Sequence, residues 1–412
     1  MTEARSNSVQ QFEGEVSFQP GTPGFYANPH VLYRALRERD PVHAVPGSSS
    51  WLVTRYEDVA HVLKDARFGK RMDHSGPPPE IEADIRPAVE LLNRFMLFRD
   101  PPDHTRLRGL VSKAFTPRMI ELLVPRIQAI TDELLEEIAT REEAELVADF
   151  AFPLPVIVIA EMLGVPAGDR QKFKDWSNLV ACLIDFNASR SLFVEGSQVV
   201  QELTEYLRGI VAERRRSPQN DLISALIRAE ENEQKLTEEE LIASCVLLLV
   251  AGHETTVNLI ANGVYTLLTH PEQHALLLEK PELIPGAVEE ILRYESPVQM
   301  TSRLAQTDVI IGSRTITRGQ EVLVSLGAAN RDPAVFAEPD RFDITRQPNP
   351  HLAFAAGIHY CLGAALARME GQVAIGSLLR RFPNLALAEP AVTWKESVVF
   401  RSLQSLKVRL IP

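Results

Sequence analysis

The chain has 412 residues, with 43 Lys or Arg against 55 Asp or Glu, for a net charge of −12. That balance excludes a protein built to bind nucleic acid or an anionic membrane, since either partner demands a clustered positive field. Cys182, Cys245 and Cys361 are odd in number and far apart with no Cys-x-x-Cys spacing, so neither a disulfide framework nor a structural zinc site is expected.

A reducing cytoplasm is the compartment that fits such cysteine usage. Hydrophobic residues make up 45% of the chain, enough for a sizeable core. At about 150 residues per domain the length allows two or three domains.

In chain order, Met1 to Gly24 is polar and lacks a basic start followed by an apolar stretch, so neither a signal peptide nor an anchor is expected there. Apolar spacing near i, i+3, i+4 predicts helices over Asn28–Arg39, Asp58–Leu63, His104–Ala114, Thr116–Ala139, Asp169–Ile184 and Glu195–Arg216. The same spacing predicts Thr237–Thr269, Ile284–Tyr294 and Leu362–Phe382. Strand-like runs fall around Val42–Tyr56 and Val309–Leu326, where Gly and Pro punctuate β-branched residues. The expected fold is mainly α with small sheets. Gly76–Pro79 and Gln347–Pro350 are Pro-rich and read as loops. Phe150–Leu163 carries Pro153 and Pro155, and the apolar run Cys245–Gly252 is short against the about 20 residues a membrane span needs.

Thr237 followed by three glutamates is a helix N-terminus signature, and His270-Pro271 is the next break. A helix of about 33 residues spans roughly 50 Å. Leu247 to Val250 make it apolar all round, which predicts a helix crossing the core. Within it stands Ala251-Gly252-His253-Glu254-Thr255-Thr256. The glycine is by itself a tolerated packing residue, and the threonine hydroxyls are expected to bond the carbonyl four residues back. Two small residues beside an acid and an alcohol also make a proton relay beside a close-approach site. A metalloprotease helix would need a second histidine where Val257 stands.

The segment Phe354-Ala355-Ala356-Gly357-Ile358-His359-Tyr360-Cys361-Leu362-Gly363 runs into a helix. A lone cysteine is ordinarily a small buried apolar side chain. Here it stands at a helix N-terminus after a Gly-containing loop, a setting for a thiolate that serves as nucleophile or metal ligand. Glu290 and Arg293, three apart in a helix, project off the apolar stripe of Ile284, Val288, Ile291 and Leu292, so periodicity alone puts them on a solvated face.

Taken in order, the small-small-x-acid-Thr helix, the Glu-x-x-Arg helix and the Phe-x-x-Gly-x-His-x-Cys-x-Gly loop resemble a cytochrome P450 of the bacterial soluble class. The resemblance implies a helix-rich triangular fold in one domain over 1–412, with β structure near 42–56 and 298–326. It implies haem b with Cys361 as axial thiolate. Thr255 and Glu254 would manage proton delivery to dioxygen, beside room left by Ala251 and Gly252. His104, Arg108, Arg303 and His359 would meet the propionates, with Phe354 and Gly363 framing the cysteine. Glu290, Arg293 and Arg341 would form a buried charge network under the cysteine loop. Ala355 departs from the glycine common at that place and is expected to tighten the loop.

The implied reaction inserts one oxygen atom from O2 into a lipophilic small molecule: a polyketide, terpenoid, steroid or fatty acid. Substrate contacts are expected from about Arg71 to Phe95, from Val180 to Phe186, and at Val246, Leu247, Val250, Val298, Met300, Val399 and Phe400. Electrons would come from a separate ferredoxin or flavodoxin with an NAD(P)H-dependent reductase, docked on Arg106, Lys113 and Arg368. A peroxide-driven peroxygenase, a haem rearrangement enzyme and a non-catalytic haem sensor share the cysteine without needing the acid-alcohol pair.

Overall fold

The structure, a computed structural model, describes residues 16–71, 80–229 and 234–410. The Pro-rich stretch Gly76–Pro79, and with it residues 72–79 of the expected substrate segment, lie outside the described residues.

Helices dominate, and the longest, Glu238–Thr269, has 32 residues. Its N-terminus is closed by a full capping box: the Thr237 hydroxyl accepts from the Glu240 N–H, and the Glu240 carboxylate accepts from the Thr237 N–H. Helices Pro153–Leu163, Arg170–Cys182, Ile284–Tyr294 and Ala364–Arg381 pack around it. Among the described residues it is the one helix long and apolar enough to cross a bilayer, and most of it is buried inside the fold, as a core helix is.

Proline explains two departures from periodicity. Pro153 and Pro155 do not interrupt Pro153–Leu163, because they stand in its first turn, where proline costs no intrahelical hydrogen bond. Pro271 both ends the central helix and opens Pro271–Glu279 as its first residue.

The two strand regions meet in a five-stranded sheet, ordered Val42–Ala44, Trp51–Val53, Glu321–Ser325, Met300–Ala305, Phe68–Gly69, while Val309–Ile311 and Arg314–Ile316 pair separately as a hairpin. Trp51–Val53 runs parallel to Glu321–Ser325, with Trp51 opposite Val322, and the other pairings are antiparallel. A three-stranded sheet of Glu143–Glu145, Lys407–Arg409 and Ala386–Leu387 carries no alternating apolar pattern long enough to read from sequence. Strand Met300–Ala305 carries Arg303, whose charge acts on His104 and on His359 of the cysteine loop.

Candidate functional site

Ala251 is exposed and Gly252 and Thr255 half-exposed in the middle of a helix whose other central residues are buried. The Thr255 hydroxyl donates to the Ala251 carbonyl at 2.9 Å and Thr256 to Gly252 at 3.1 Å, the back-bonding expected of threonines in a helix. A methyl group at Gly252 would meet only Ile159 at 3.7 Å, an ordinary contact, so the room at that position faces helix Pro153–Leu163. Glu254 turns from Thr255 toward the C-terminal segment. Its Oε1 lies 3.4 Å from Lys395 Nζ and 3.4 Å from Ser402 Oγ.

The cysteine loop is a tight ring. The Cys361 N–H donates to the Phe354 carbonyl at 3.0 Å and the Tyr360 N–H to that of Gly357 at 3.1 Å. Gly357 has φ +71°, and a side chain there would collide with the Leu63 carbonyl. Ala355 also adopts a left-handed conformation, φ +56°, so the methyl expected to tighten the loop instead burdens its backbone. Gly363 caps helix Ala364–Arg381. Burial pushes the Cys361 thiol up, opposed by the Gly363 N–H and by the Arg108 and Arg368 charges.

Beside the loop stands a group of basic side chains. The rings of His104 and His359 lie 4.2 Å apart, and Arg108 Nη2 donates to the Tyr360 carbonyl at 2.6 Å. Arg303 is buried, and Lys70 Nζ donates to the Thr301 hydroxyl at 3.2 Å. Burial, helped by the Arg303 charge, pushes Lys70 down to about 7 and His359 down to about 2, while burial alone lowers Arg303 to about 10 against the opposing charge of Asp100. Among the described residues, His104 Nδ1 and His359 Nε2 have no hydrogen-bond partner, and neither Arg303 nor Lys70 forms an ion pair. The carboxylate of Asp100 accepts from the Lys70 and Arg71 N–H groups and offsets only part of the charge of Lys70, Arg108 and Arg303, and a surplus of basic side chains next to a cysteine loop fits a flat group that carries two anionic arms and accepts a sulfur ligand. Lys70 was not legible in the sequence, because it joins the group only through the pairing of Phe68–Gly69 with Met300–Ala305.

Glu290 and Arg293 are wholly buried, which overrides their position off the apolar stripe. Arg293 Nε and Nη2 each lie 2.7 Å from a Glu290 carboxylate oxygen. Nη1 donates to the carbonyls of Asn330 and Pro339, and Nη2 also to that of Arg341. All five guanidinium donors are thereby met, the condition for burying an arginine. Arg341 is a correction: it contributes its carbonyl only, while its side chain is 58% exposed beside Glu338. The second arginine is Arg346, whose Nε lies 3.1 Å from Glu290 Oε2. Arg346 reaches inward because its guanidinium also finds the carbonyls of Ala337, Glu338 and Arg341.

The expected substrate contacts divide. Val298 and Phe400 are half-buried and bridged to each other, with Val399 beside them. Met300 is shut into a cluster with Tyr33, Leu52 and Leu323. Val246 and Val250 are likewise closed into the core. At about 100° per residue they point well away from Ala251, whereas Leu247 and the unforeseen Leu248 stand one turn before it on its own face. Of the three docking cations, Arg106 pairs with Glu240 and Arg368 with Glu289.

A helix-rich fold with a thiol-bearing loop under a cationic group defines a haem-thiolate protein. The family pattern described as cytochrome P450 matches residues 43–391. The chain is 46% identical over 389 residues to a biotin biosynthesis cytochrome P450 of Bacillus subtilis, covering 93% of this chain and 96% of that one. It is 44% identical to a vitamin D(3) 25-hydroxylase of Pseudonocardia autotrophica, covering 94% and 95%. The structure of P450BioI in complex with acyl carrier protein ligated to hexadec-9Z-enoic acid superposes with a TM-score of 0.89 at 46% identity, over 94% of this chain and 99% of that one. The chain belongs to the cytochrome P450 family. It is a monooxygenase that binds haem b through a cysteine thiolate and acts on lipophilic molecules with O2 and a redox partner.

Proposed function

We propose that Cys361 is the axial thiolate and that Lys70, His104, Arg108, Arg303 and His359 hold the haem propionates. The single observation that carries this reading is the gathering of those five basic side chains beside the cysteine loop, with only Asp100 acting on them in common and with His104 Nδ1 and His359 Nε2 left without hydrogen-bond partners among the described residues. Bound there, the haem supplies dioxygen activation, with two electrons and two protons, for insertion of one oxygen atom into a C–H or C=C bond. The chain's own residues do the rest. Thr255 presents a hydroxyl oxygen at the exposed face of the central helix, able to accept one hydrogen bond while it donates to Ala251. Glu254 holds an acid one residue away, connected through Lys395 to the surface. The apolar side chains of Leu247, Leu248, Val298 and Phe400 exclude water around them.

The presence of the acid-alcohol pair favours reductive monooxygenation over peroxide-driven turnover and over a sensing role. The electron donor is a separate ferredoxin or flavodoxin with an NAD(P)H-dependent reductase, in a cytoplasmic setting, and the whole chain works as one domain. The substrate is a polyketide, terpenoid, steroid or fatty-acyl molecule. Similarity to a relative crystallised with an acyl-loaded carrier protein makes the fatty-acyl class the first to test.

The test is the reduced, CO-bound absorption spectrum, in which the native protein should show the Soret band of a thiolate-ligated haem and Cys361→Ser should lose it. A native protein without that band overturns the reading. Spin-state shifts on adding free fatty acids, acyl carrier protein conjugates and steroids then rank the substrate classes.

A further inference from the structure

Arg368 stands on helix Ala364–Arg381, seven residues after Cys361, and was read from sequence as a docking cation. The structure gives it other work. Its Nε and Nη2 lie 2.7 and 3.0 Å from the two carboxylate oxygens of Glu289, a bidentate fork. Its Nη1 donates to the Tyr360 hydroxyl at 3.3 Å, and its guanidinium lies 4.4 Å from the Phe354 ring centre. Phe354 and Tyr360 are the two ends of the loop that closes on Cys361, and their rings meet edge-on at 6.4 Å. One cation therefore grips both ends of the ring that places the sulfur.

The grip is itself fixed from behind. His351 Nε2 lies 3.0 Å from Glu289 Oε2, and its Nδ1 accepts the Ala353 N–H at 3.2 Å. That acceptor role leaves Nε2 as the protonated nitrogen, so His351 donates to Glu289. Burial alone would raise the Glu289 carboxyl, but the hydrogen bonds from His351 and Arg368 hold it down at about 2. At the distance of a docking carrier the charges of Arg368 and Glu289 largely cancel, whereas the Arg368 charge acts on Cys361 itself, and three of the five Arg368 donors are already engaged.

We propose that Arg368, braced by Glu289 and His351, is a positioning residue that orders the cysteine loop through Phe354 and Tyr360 and sets the reduction potential of the centre. The inference rests on Cys361 being the ligand. A cation held beside a sulfur ligand stabilises the more electron-rich, reduced state, and hydrogen bonding and charge around the ligand are the protein's means of tuning such centres. Removing it should make reduction harder.

The test uses the purified holoprotein. Arg368→Gln should shift the ferric/ferrous midpoint negative, with the reduced fraction at fixed potential falling about tenfold, which is about 59 mV for a one-electron couple. Arg368→Lys should recover most of the potential, because charge is retained, yet leave more of the CO complex without the thiolate-type band, because the planar fork and stack are lost. Glu289→Gln should move the midpoint positive. Titration with an acidic two-iron ferredoxin should give unchanged affinity and salt dependence in all three. An unmoved midpoint in Arg368→Gln with weakened, less salt-sensitive ferredoxin binding would restore the docking role. Should Arg368→Gln fail to take up haem, Glu289→Gln decides, and an unmoved midpoint there overturns the proposal. A native protein lacking the thiolate-type band would instead sink the ligand assignment, before any variant is made.

Discussion

Lys395 Nζ lies 3.4 Å from Glu254 Oε1, joining the C-terminal segment to the centre of the longest helix across 141 residues of sequence. Lys395 is 46% exposed and Glu254 9%, so the pair links a buried acid to solvent on the side away from Thr255. Glu254→Gln should reduce turnover by about 100-fold, the low end of general acid–base effects, with a larger solvent isotope effect. Lys395→Ala should cost less than about tenfold, because Ser402 still holds the carboxylate. Product formation rates in H2O and D2O check both, and equal losses in the two variants would contradict this order.

Thr255→Ala removes the hydroxyl that bonds the Ala251 carbonyl on the exposed face without opening the core. Haem content should be unchanged while reducing equivalents pass to hydrogen peroxide, and Thr255→Ser should restore coupling. The ratio of product to NAD(P)H consumed is the measurement. Full coupling in Thr255→Ala would remove the threonine from proton delivery.

The two candidate network arginines should separate cleanly. Arg346→Ala breaks a buried ion pair with Glu290 and should destabilise by about 3 kcal/mol. Arg341→Ala touches an exposed side chain and should stay within about 0.5 kcal/mol. Urea unfolding of the two holoproteins decides, and a reversed order would return Arg341 to the network.

Ala355→Gly should stabilise the protein by up to about 1 kcal/mol. The left-handed backbone costs a non-glycine residue about 1–2 kcal/mol, partly offset by the greater freedom of glycine in the unfolded chain. A raised Tm is expected, and a lowered one would mean the methyl packs favourably enough to outweigh its strain.

Acid should weaken the fold in two stages. Burial lowers His30 to about 4, so stability is full above the unfolded histidine value, about 6.5, and falls as pH drops from there toward about 4. Burial alone would raise Glu295, yet Arg401, His30 and Arg331 hold it far below the usual range. Its contribution is present above about 4.3 and is lost at lower pH. Urea midpoints measured from pH 7 to pH 4 should fall, and His30→Gln should flatten the upper part of that slope. An unchanged slope would show that His30 is not the group responsible.

Much of the site was legible along the chain. Thr237 and His270-Pro271 bounded the central helix within a residue, because capping and proline act locally. The cysteine loop and its helix stood out by composition and spacing. What could not be read were directions. Glu290 and Arg293 lie off their helix's apolar stripe and are still buried, because Arg346 and the carbonyls of Asn330, Pro339 and Arg341 come from other parts of the chain to meet them. Val246 and Val250 are as apolar as Leu248, and only the orientation of the helix against its neighbours decides which face is open.

The sequence by itself determined the family, the ligand candidate and the long helix, since each motif and each helix cap on which they rest spans no more than about three helical turns. Tertiary packing decided which charges are spent on one another. Arg368 has the same composition-level credentials as any surface arginine, and it becomes a brace for the cysteine loop because helix Ile284–Tyr294 sets the Glu289 carboxylate against its fork and the loop brings Phe354 and Tyr360 to it.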